Sequence, residues 1–319
     1  LTGGILIPVS ATALGTSPIA IDGATLNTPA TVLTFSNNLS LGTSGSTINT
    51  DANVTFSGAF STTGAAVEAS NQLTKTGTGV LTLTKTGSTA FGSQSNVGAT
   101  GTSIELDITA GGVIFSGSGS RFLGGTCTWD TPVTLAGGSL MLHGATIEGT
   151  GGISVTSGST IISRFNRGNC NVDSAITMDS ATELAVDAPT GSSELSFNGI
   201  IGGSGNLRKI GNGVVNLTAD NSYTGTTTVD SGSLRVGSGT TGTLGAGDVI
   251  LNGTGGLEFR QDDTLGVANG FSGVGTVRLI GAAAAVTRLT GTVSHTGVTA
   301  VDEGALLIDG DASLATGTI

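Results

Sequence analysis

Apolar and polar residues alternate along this chain in short runs, and Gly, Asn, Ser or Thr separate one run from the next. The clearest example is residues 202–236, where the runs are Leu207–Ile210, Val214–Leu217 and Thr227–Val236. Alternation with a period of two over four to eight residues is typical of a strand with one buried face, and intervening Gly and Asn indicate tight turns. The pattern therefore predicts many short strands.

A related unit recurs along the sequence: an apolar-x-apolar run, a short gap of small residues, and a second apolar run. Copies that begin at Val133, Ile153 and Ile176 lie about twenty residues apart, which is the period of a β-helical coil. A single coil cannot bury its apolar face, whereas stacked coils form a continuous core. We therefore predict an all-β fold, a parallel β-helix of about 15 coils, in which residues 1–319 form a single continuous solenoid.

Residues 202–236 also follow a longer pattern, roughly G-x-G-x-L-x-K-x-G-x-G-x-L-x-L-x-G-x-N-x-Y-x-G-x-T-x-V-x-x-G-x-L-x-V. The residues that fall on it are Gly203, Gly205, Leu207, Lys209, Gly211, Gly213, Val215, Leu217, Asn221, Tyr223, Gly225, Thr227, Val229, Gly232, Leu234 and Val236. The stretch resembles the passenger-associated transport repeat of bacterial autotransporters. That resemblance implies a right-handed parallel β-solenoid, extracellular or on the bacterial cell surface, and it carries over no catalytic residue.

Two weaker copies of this stretch lie elsewhere in the chain. Residues 73–92 repeat its first half, and residues 275–308 repeat its second half with His295 in place of Tyr223. Because His295 takes the position of a turn residue, we expect its role to be structural. The resemblance is close in residues 202–236 and degenerate in the rest of the chain.

Composition agrees with a strand-rich fold and limits the partners. The chain has 55 Gly, 4% aromatic residues and 10% charged residues, and its 22 acidic residues against 11 basic ones give a net charge of -11. This balance disfavours nucleic acid as a partner, because phosphate binding requires clustered Lys and Arg. No apolar run approaches the roughly 18 residues that a membrane-spanning helix needs, so we predict no transmembrane segment.

Two segments break the rhythm and are predicted to leave the solenoid as side loops, near residues 122–131 and 163–173. Loops on a rigid scaffold often carry recognition, so these are candidate binding loops for a host surface or a polysaccharide. The alternative is that each cluster is a local packing cap. The candidate binding residues are Phe122, Trp129, Arg164, Phe165 and Arg167.

The two cysteines, Cys127 and Cys170, fall within these two segments. In an extracellular protein a disulfide between them is the natural expectation. They lie roughly two coils apart in sequence, so only protruding loops would bring them within the short span that a disulfide allows. A disulfide and two buried thiols therefore both remain open as alternatives.

Catalytic, cofactor and metal sites are not indicated. Pectin-degrading β-helix enzymes use acidic pairs followed by His-Gly, whereas here the pair Asp262-Asp263 follows His143-Gly144, in the opposite order. Calcium-binding β-rolls use G-G-x-G-x-D repeats, and residues 202–207 have the glycines without the Asp. We therefore predict that the chain is not an enzyme and has no cofactor or metal site.

The ends of the sequence carry no polar or helical cap. An open solenoid end exposes unpaired backbone groups, which are a template for further strand addition. Either the chain is a fragment of a longer passenger, or its ends pair head to tail between molecules. The candidate assembly residues are Ile5, Leu6, Ile7 and Val9 near the start and Leu314 and Ile319 near the end.

Three functional hypotheses follow, of which the least favoured is a polysaccharide-active β-helix enzyme. The leading one is an extracellular structural solenoid that associates end to end with copies of itself into a surface filament or matrix fibre. The alternative is an adhesin or passenger scaffold, which displays its loops to a host surface or a glycan. In none of these hypotheses does the chain bind nucleic acid.

Overall fold

The computed structural model describes residues 1–42, 44–58, 60–62, 70–84, 103–110, 112–116, 120–163, 169–189 and 194–309. Within these ranges every regular element is a β-strand, so the all-β prediction is confirmed. No helix of the described chain is long and apolar enough to cross a membrane. Contacts define two compact units, Leu1–Thr160 and Ile161–Ile319, here called unit 1 and unit 2.

The strands are short, as the sequence pattern predicts. Those that begin in unit 1 are β1 (Ile5–Leu6), β2 (Ile19–Ile21), β3 (Thr25–Thr28), β4 (Leu33–Phe35), β5 (Leu39–Leu41), β6 (Ser46–Thr50), β7 (Val54–Phe56), β8 (Phe60–Thr62), β9 (Ser70–Thr76), β10 (Val80–Thr84), β11 (Ser103–Ile108), β12 (Gly112–Ser116), β13 (Ser120–Thr128), β14 (Val133–Glu148) and β15 (Ile153–Ser163).

The strands of unit 2 continue the same numbering. They are β16 (Cys170–Val172), β17 (Ile176–Met178), β18 (Glu183–Asp187), β19 (Leu195–Phe197), β20 (Ile201–Gly203), β21 (Asn206–Ile210), β22 (Val214–Leu217), β23 (Thr227–Val229), β24 (Ser233–Gly239), β25 (Val249–Leu251), β26 (Gly256–Gln261), β27 (Thr264–Val267), β28 (Phe271–Gly273), β29 (Thr276–Ile280), β30 (Val286–Leu289), β31 (Thr299–Glu303) and β32 (Ala305–Ile308).

Unit 1 stacks its strands in parallel ladders, and each strand pairs with a strand one turn further along the chain. The ladders are β1–β3–β6–β9–β11–β13–β14, β4–β7–β10–β12–β14 and β2–β5–β8. Strand β14 belongs to two ladders because its first part pairs with β12 and its second part with β13. Parallel pairing between successive turns defines a β-solenoid.

Unit 2 has the same arrangement. Its ladders are β16–β19–β22–β24–β26–β29–β31, β18–β21–β23–β25–β28, β17–β20 and β27–β30–β32. The predicted fold class, a parallel β-solenoid, is confirmed in each unit. The right-handed sense of the coil and a single continuous solenoid over residues 1–319 stay predictions.

The turns range from 19 residues, between Val215 and Leu234, to 33 residues, between Leu73 and Leu106, because the segments between strands vary in length; several are longer than the twenty residues predicted. Side chains or backbones bonded across neighbouring turns are separated by 23 residues at Arg235 and Glu258, 25 at Asn198 and Asp173, and 35 at Lys75 and Ala110. The described chain therefore makes fewer turns than the about 15 predicted.

The predicted side loop near residues 122–131 is wrong. Strand β13 covers most of it and pairs in parallel with β14. Cys127 and Trp129 are fully buried and Thr128 between them is half-buried, so the alternation of a strand continues over residues 127–129. Of the second predicted loop, 163–173, Ser163 ends β15 and Cys170 begins β16. Residues 164–168 lie outside the described chain.

An aliphatic column forms part of the core of unit 2. Leu195, Val215, Leu234, Leu257 and Val277 occupy successive register positions of one ladder, and all five are buried. Burial of one such side chain contributes about 1.5–3 kcal/mol. Each of these residues is covered by the turns before and after it, so the core exists only in the stack.

Glycine is required where turns meet at one corner of unit 2. A Cβ atom on Gly225 would lie 2.2 Å from the carbonyl oxygen of Gly205, and one on Gly247 would lie 2.1 Å from that of Gly225. Real side chains do not tolerate such contacts with backbone. The corner therefore allows close stacking only because three successive turns place glycine there.

Changing Gly225 to Ala should lower the free energy of unfolding of unit 2 by about 1–3 kcal/mol, the usual range for a residue that overfills a packed site. Urea unfolding followed by the emission of Tyr223, the only tyrosine of the chain, measures the change. The matched control is Gly266→Ala, where an added Cβ meets nothing within 4 Å. Equal stability of the two variants would contradict this account of the corner.

Candidate functional site

A lysine in unit 2 points into the core. Lys209 is fully buried, and its Nζ donates hydrogen bonds to the carbonyl oxygens of Ile210 at 2.8 Å, Gly211 at 2.7 Å and Ser231 at 3.0 Å. The first two carbonyls belong to the end of the same strand and the turn after it. The third belongs to the next turn of the solenoid, so the ammonium group links two turns.

Unit 1 contains the same arrangement. Lys75 is fully buried, and its Nζ donates to the carbonyl oxygens of Thr76 at 2.6 Å, Gly77 at 2.9 Å and Ala110 at 3.1 Å. Again two acceptors follow the lysine directly and the third lies on the following turn. We call each lysine with its three carbonyl oxygens a lysine collar.

The local sequence Lys-x-Gly shapes both collars. Gly77 has a φ of 77° and Gly211 has a φ of 73°, a left-handed conformation that glycine adopts readily and other residues rarely do. The chain therefore turns back sharply over the end of the strand. This turn brings two consecutive carbonyl oxygens within reach of the lysine Nζ.

Burial dominates the electrostatics of the collars. It lowers the pKa of Lys209 to about 8, and the charge of Asp187 opposes this shift. It likewise lowers the pKa of Lys75 to about 8, with Asp51 in opposition. Burial also raises the pKa of Asp187, whose Oδ1 makes no hydrogen bond within the described chain, while Lys209 acts to lower it.

The lysine pKa predicts a pH-dependent effect of Lys209→Met. The folded-state pKa of about 8 lies below the ordinary 10.5, so between these values the unfolded wild type binds a proton that the folded form has released. The free energy of unfolding of the wild type therefore rises relative to that of Lys209→Met as the pH rises from 8 towards 10.5. The rise is at most about 1.4 kcal/mol per pH unit. Urea unfolding of both proteins from pH 7 to 10 measures the difference. If the variant instead became more stable relative to the wild type as the pH rises, the lowered pKa would be contradicted.

A second buried polar pair recurs in unit 2. The hydroxyl of Tyr223 lies 2.7 Å from Oγ1 of Thr227, and Nε2 of His295 lies 3.0 Å from Oγ1 of Thr299. All four side chains are buried. Burial raises the pKa of Tyr223 and lowers that of His295. His295 thus contacts a threonine inside the core in the same way as Tyr223 does, in keeping with the structural role predicted for it.

The lysine collars and the buried polar pairs recur in segments that match a known protein family. The family model described as passenger-associated-transport-repeat matches residues 73–104, 207–236 and 284–308. The chain carries passenger-associated transport repeats. Lys75 lies in the first match and Lys209 in the second, so each lysine collar is built around a residue of a repeat.

One curated relative is an adhesin. The chain is 37% identical over 78 residues to a protein named adhesin BmaC autotransporter from Brucella suis biovar 1 (strain 1330). The aligned segment is 24% of this chain and 2% of that protein, so the chain spans a very small part of its relative. No solved structure matches the chain significantly.

Just before the third match, an aliphatic residue takes the place of the collar lysine: Leu279 pairs with Val301 as Lys209 pairs with Val229. By alignment on the repeat, Val277-Arg278-Leu279-Ile280-Gly281 corresponds to Leu207-Arg208-Lys209-Ile210-Gly211, which places Leu279 where the second repeat has lysine. Leu279 is buried, with 3% of its surface exposed. The repeat can therefore fill this core position with an aliphatic side chain.

An ionic face follows one ladder of unit 2. We define it as Glu194, Arg235, Glu258, Arg278 and Asp302. Arg235 bridges two carboxylates, at 2.9 Å to Glu194 and 2.7 Å to Glu258, and Arg278 pairs with Asp302. These partners lie on different turns, so the charges are neutralised along the stack.

The repeat lysine and its neighbour do not form a basic patch. Arg208 points outward and contacts Asp230 at 2.6 Å and Glu183 at 3.6 Å, whereas Lys209 points into the core. The sequence pair Arg208-Lys209 thus offers no pair of exposed cations to a phosphate. Period-two alternation from the inward Leu207 could have placed Lys209 inside, because residues two apart share a face.

Of the predicted binding residues, Phe122 and Trp129 lie within the described chain. Trp129 is buried, and its Nε1 donates to the carbonyl oxygen of Leu106 at 3.0 Å, so it is part of the core. Phe122 lies in β13, with Met141 as its register neighbour. The remaining candidates, Arg164, Phe165 and Arg167, lie outside the described residues.

The cysteines lie in different units, and both are buried. The amide of Leu106 donates to Sγ of Cys127 at 3.5 Å, and Cys170 begins β16 with Leu195 as its register neighbour. A disulfide between Cys127 and Cys170 stays a prediction.

The candidate assembly residues near the start of the chain lie on its first described turn. Ile5 and Leu6 form β1, which pairs with β3, and the side chains of Ile5, Ile7 and Val9 are exposed. Leu314 and Ile319 lie outside the described residues. Association through these residues stays a prediction.

A shallow polar groove of about 620 Å³ lies on unit 2. It is lined by one carboxylate, several hydroxyl groups, and glycines of successive turns. The lining residues are Asp248, Ala268, Gly270, Phe271, Ser272, Thr290, Gly291, Thr292 and Ser294. Among the described residues, no three His, Cys, Asp or Glu side chains are grouped so as to hold a metal ion. That the chain is not an enzyme stays a prediction.

Proposed function

We propose that this chain is part of the passenger of a bacterial cell-surface autotransporter, where it serves as the solenoid scaffold of an adhesin. The observation that carries the proposal is the recurrence of passenger-associated transport repeats within a parallel β-solenoid. The name of the Brucella relative, an adhesin autotransporter, supports the adhesive role.

Intact-cell labelling tests the location. Antibodies raised against the purified chain should label unpermeabilised cells of the source bacterium, and brief external proteolysis should remove the signal. A strain that lacks the segment supplies the control for antibody specificity. Labelling that appears only after permeabilisation would contradict a surface passenger.

The polar groove of unit 2 is the candidate contact for a neutral polysaccharide. Oδ1 of Asp248 accepts a hydrogen bond from the amide of Gly270, and the hydroxyls of Ser272 and Ser294 donate to carbonyl oxygens of the preceding turn. Carboxylate and hydroxyl oxygens have further lone pairs that can accept hydrogen bonds, which suits the hydroxyl donors of a sugar. The carboxylate disfavours an acidic glycan.

Changing Asp248 to Ala should weaken glycan binding, because it removes the one charged acceptor of the groove. Binding of the purified chain to an array of neutral and acidic glycans identifies the ligand, and calorimetry compares the variant with the wild type. Loss of one charge-assisted hydrogen bond predicts about tenfold or more weaker binding. The matched control is Asp263→Ala, an exposed carboxylate outside the groove. Equal binding by both variants would remove the groove from the proposal.

A further hypothesis is that copies of the chain associate end to end into a filament. It depends on apolar residues at the two ends of the sequence, of which only those near the start are described. Electron microscopy of the purified chain over a range of concentrations distinguishes the hypotheses. Filaments that lengthen with concentration support self-association, and uniform particles at every concentration support the scaffold alone.

A further inference from the structure

The two lysine collars share a feature that packing does not require. In each, two carbonyl oxygens come from the lysine's own turn, while the third comes from the following turn. For Lys209 the third acceptor is Ser231, and for Lys75 it is Ala110. The ammonium group is therefore fully bonded only when the following turn is stacked in one particular register.

The apolar pattern alone leaves that register ambiguous. A slip of one residue between β21 and β23 would turn inward side chains outward, which a buried core opposes strongly. A slip of two residues keeps every inward position inward, since side chains alternate with a period of two. Strand β23 has only three residues, and its inward residues, Thr227 and Val229, are of similar size. Their packing discriminates weakly against a two-residue slip.

The lysine collar strongly favours the native register over one displaced by two residues. A slip of two residues would move the carbonyl of Ser231 by about 6.6 Å along the strand, out of hydrogen-bond range of Lys209. The buried ammonium would keep two acceptors and lose the third. An unsatisfied buried charged group is far more unfavourable than an unsatisfied neutral one.

A contribution to folding stability does not explain why lysine occupies this core position. Leu279, which precedes the third repeat match, occupies the corresponding position opposite Val301 and is buried there. Replacement of a buried charge by a well-packed apolar side chain is often neutral or stabilising. A lysine at this position therefore adds selectivity between registers rather than packing.

We propose that Lys75 and Lys209 are register determinants, which admit the following turn in one register and exclude the register displaced by two residues. This role goes beyond the proposed scaffold function and does not depend on it. The lysine of the repeat would thus select the register of stacking in a solenoid whose Gly-, Ser- and Thr-rich turns are otherwise alike.

Pairs of cysteines can report the register in unit 2. In a background with Cys127→Ala and Cys170→Ala, the pair Arg208→Cys with Thr228→Cys reports the native register, because these residues are direct neighbours. Their Cα atoms are about 4.8 Å apart, within the span of a disulfide. A second pair, Arg208→Cys with Asp230→Cys, forms a disulfide only after a slip of two residues. Each protein is refolded from urea, oxidised and analysed by mass spectrometry, with Lys209 intact or changed to Met.

With Lys209 intact, the native pair should cross-link and the slipped pair should not. With Lys209→Met, the ratio of slipped to native cross-link should rise about tenfold or more, as expected for loss of one hydrogen bond to a charged group. An unchanged ratio would overturn the proposal. Leu279→Met in the same backgrounds is the matched control, since it alters an inward residue that has no collar, and it should leave the ratio unchanged.

Unit 1 supplies an independent measurement if Lys209→Met does not refold. Thr74 and Asp107 are register neighbours there, so Thr74→Cys with Asp107→Cys reports the native register. Thr74→Cys with Thr109→Cys reports the slip, with Lys75 intact or changed to Met. Lys209→Leu, which copies Leu279, serves as the second variant in unit 2. If all of these variants fail to refold while the lysine-containing proteins succeed, the lysines act in stability and the proposal is overturned.

Discussion

Successive turns of this chain stack at the distance of a parallel β-ladder, about 4.8 Å, and the other features of the structure depend on that spacing. It leaves no room for a side chain where corners coincide, which is why Gly225 sits over the carbonyl of Gly205. It also brings outward side chains of neighbouring turns within bonding distance, as for Arg235 and Glu258 at 2.7 Å. The glycine-rich composition and the ionic face are thus two consequences of one packing distance.

That spacing also explains why the core contains polar side chains. Strand ladders satisfy the backbone along the faces, but the chain leaves the ladder at each corner, where carbonyl groups need other donors. Nδ2 of Asn221 donates to the carbonyls of Ala219 and Thr243, and its Oδ1 accepts from the amide of Ile201. Lys209 does the same for three carbonyls. The polar residues of the repeat therefore complete the backbone hydrogen bonding of the turns.

Sequence reasoning succeeded where the signal is local. Alternation in Leu207–Ile210 predicts a strand, and β21 is found there, because side-chain direction follows directly from backbone pleating. It failed at Cys127 and Trp129, whose rarity in this chain suggested a loop although both continue the alternation. Alternation from Leu207 places Lys209 on the inward face, but it does not show how a buried ammonium is satisfied. One of its acceptors, the carbonyl of Ser231, lies twenty-two residues away and leaves no mark in the local pattern.

The repeats are not tied to one face of the solenoid. Thr227 of the second repeat pairs with Leu207 and continues the ladder of β21. Its counterpart in the third repeat, Thr299, pairs with Val277, which continues the ladder that contains Leu234. The intervening turns therefore shift the repeat from one ladder to another without disturbing the stack. A repeat that specifies only how one turn closes on the next leaves the outer residues of every face free to vary. In the scaffold role proposed above, that freedom would let different faces of the solenoid carry different surface residues.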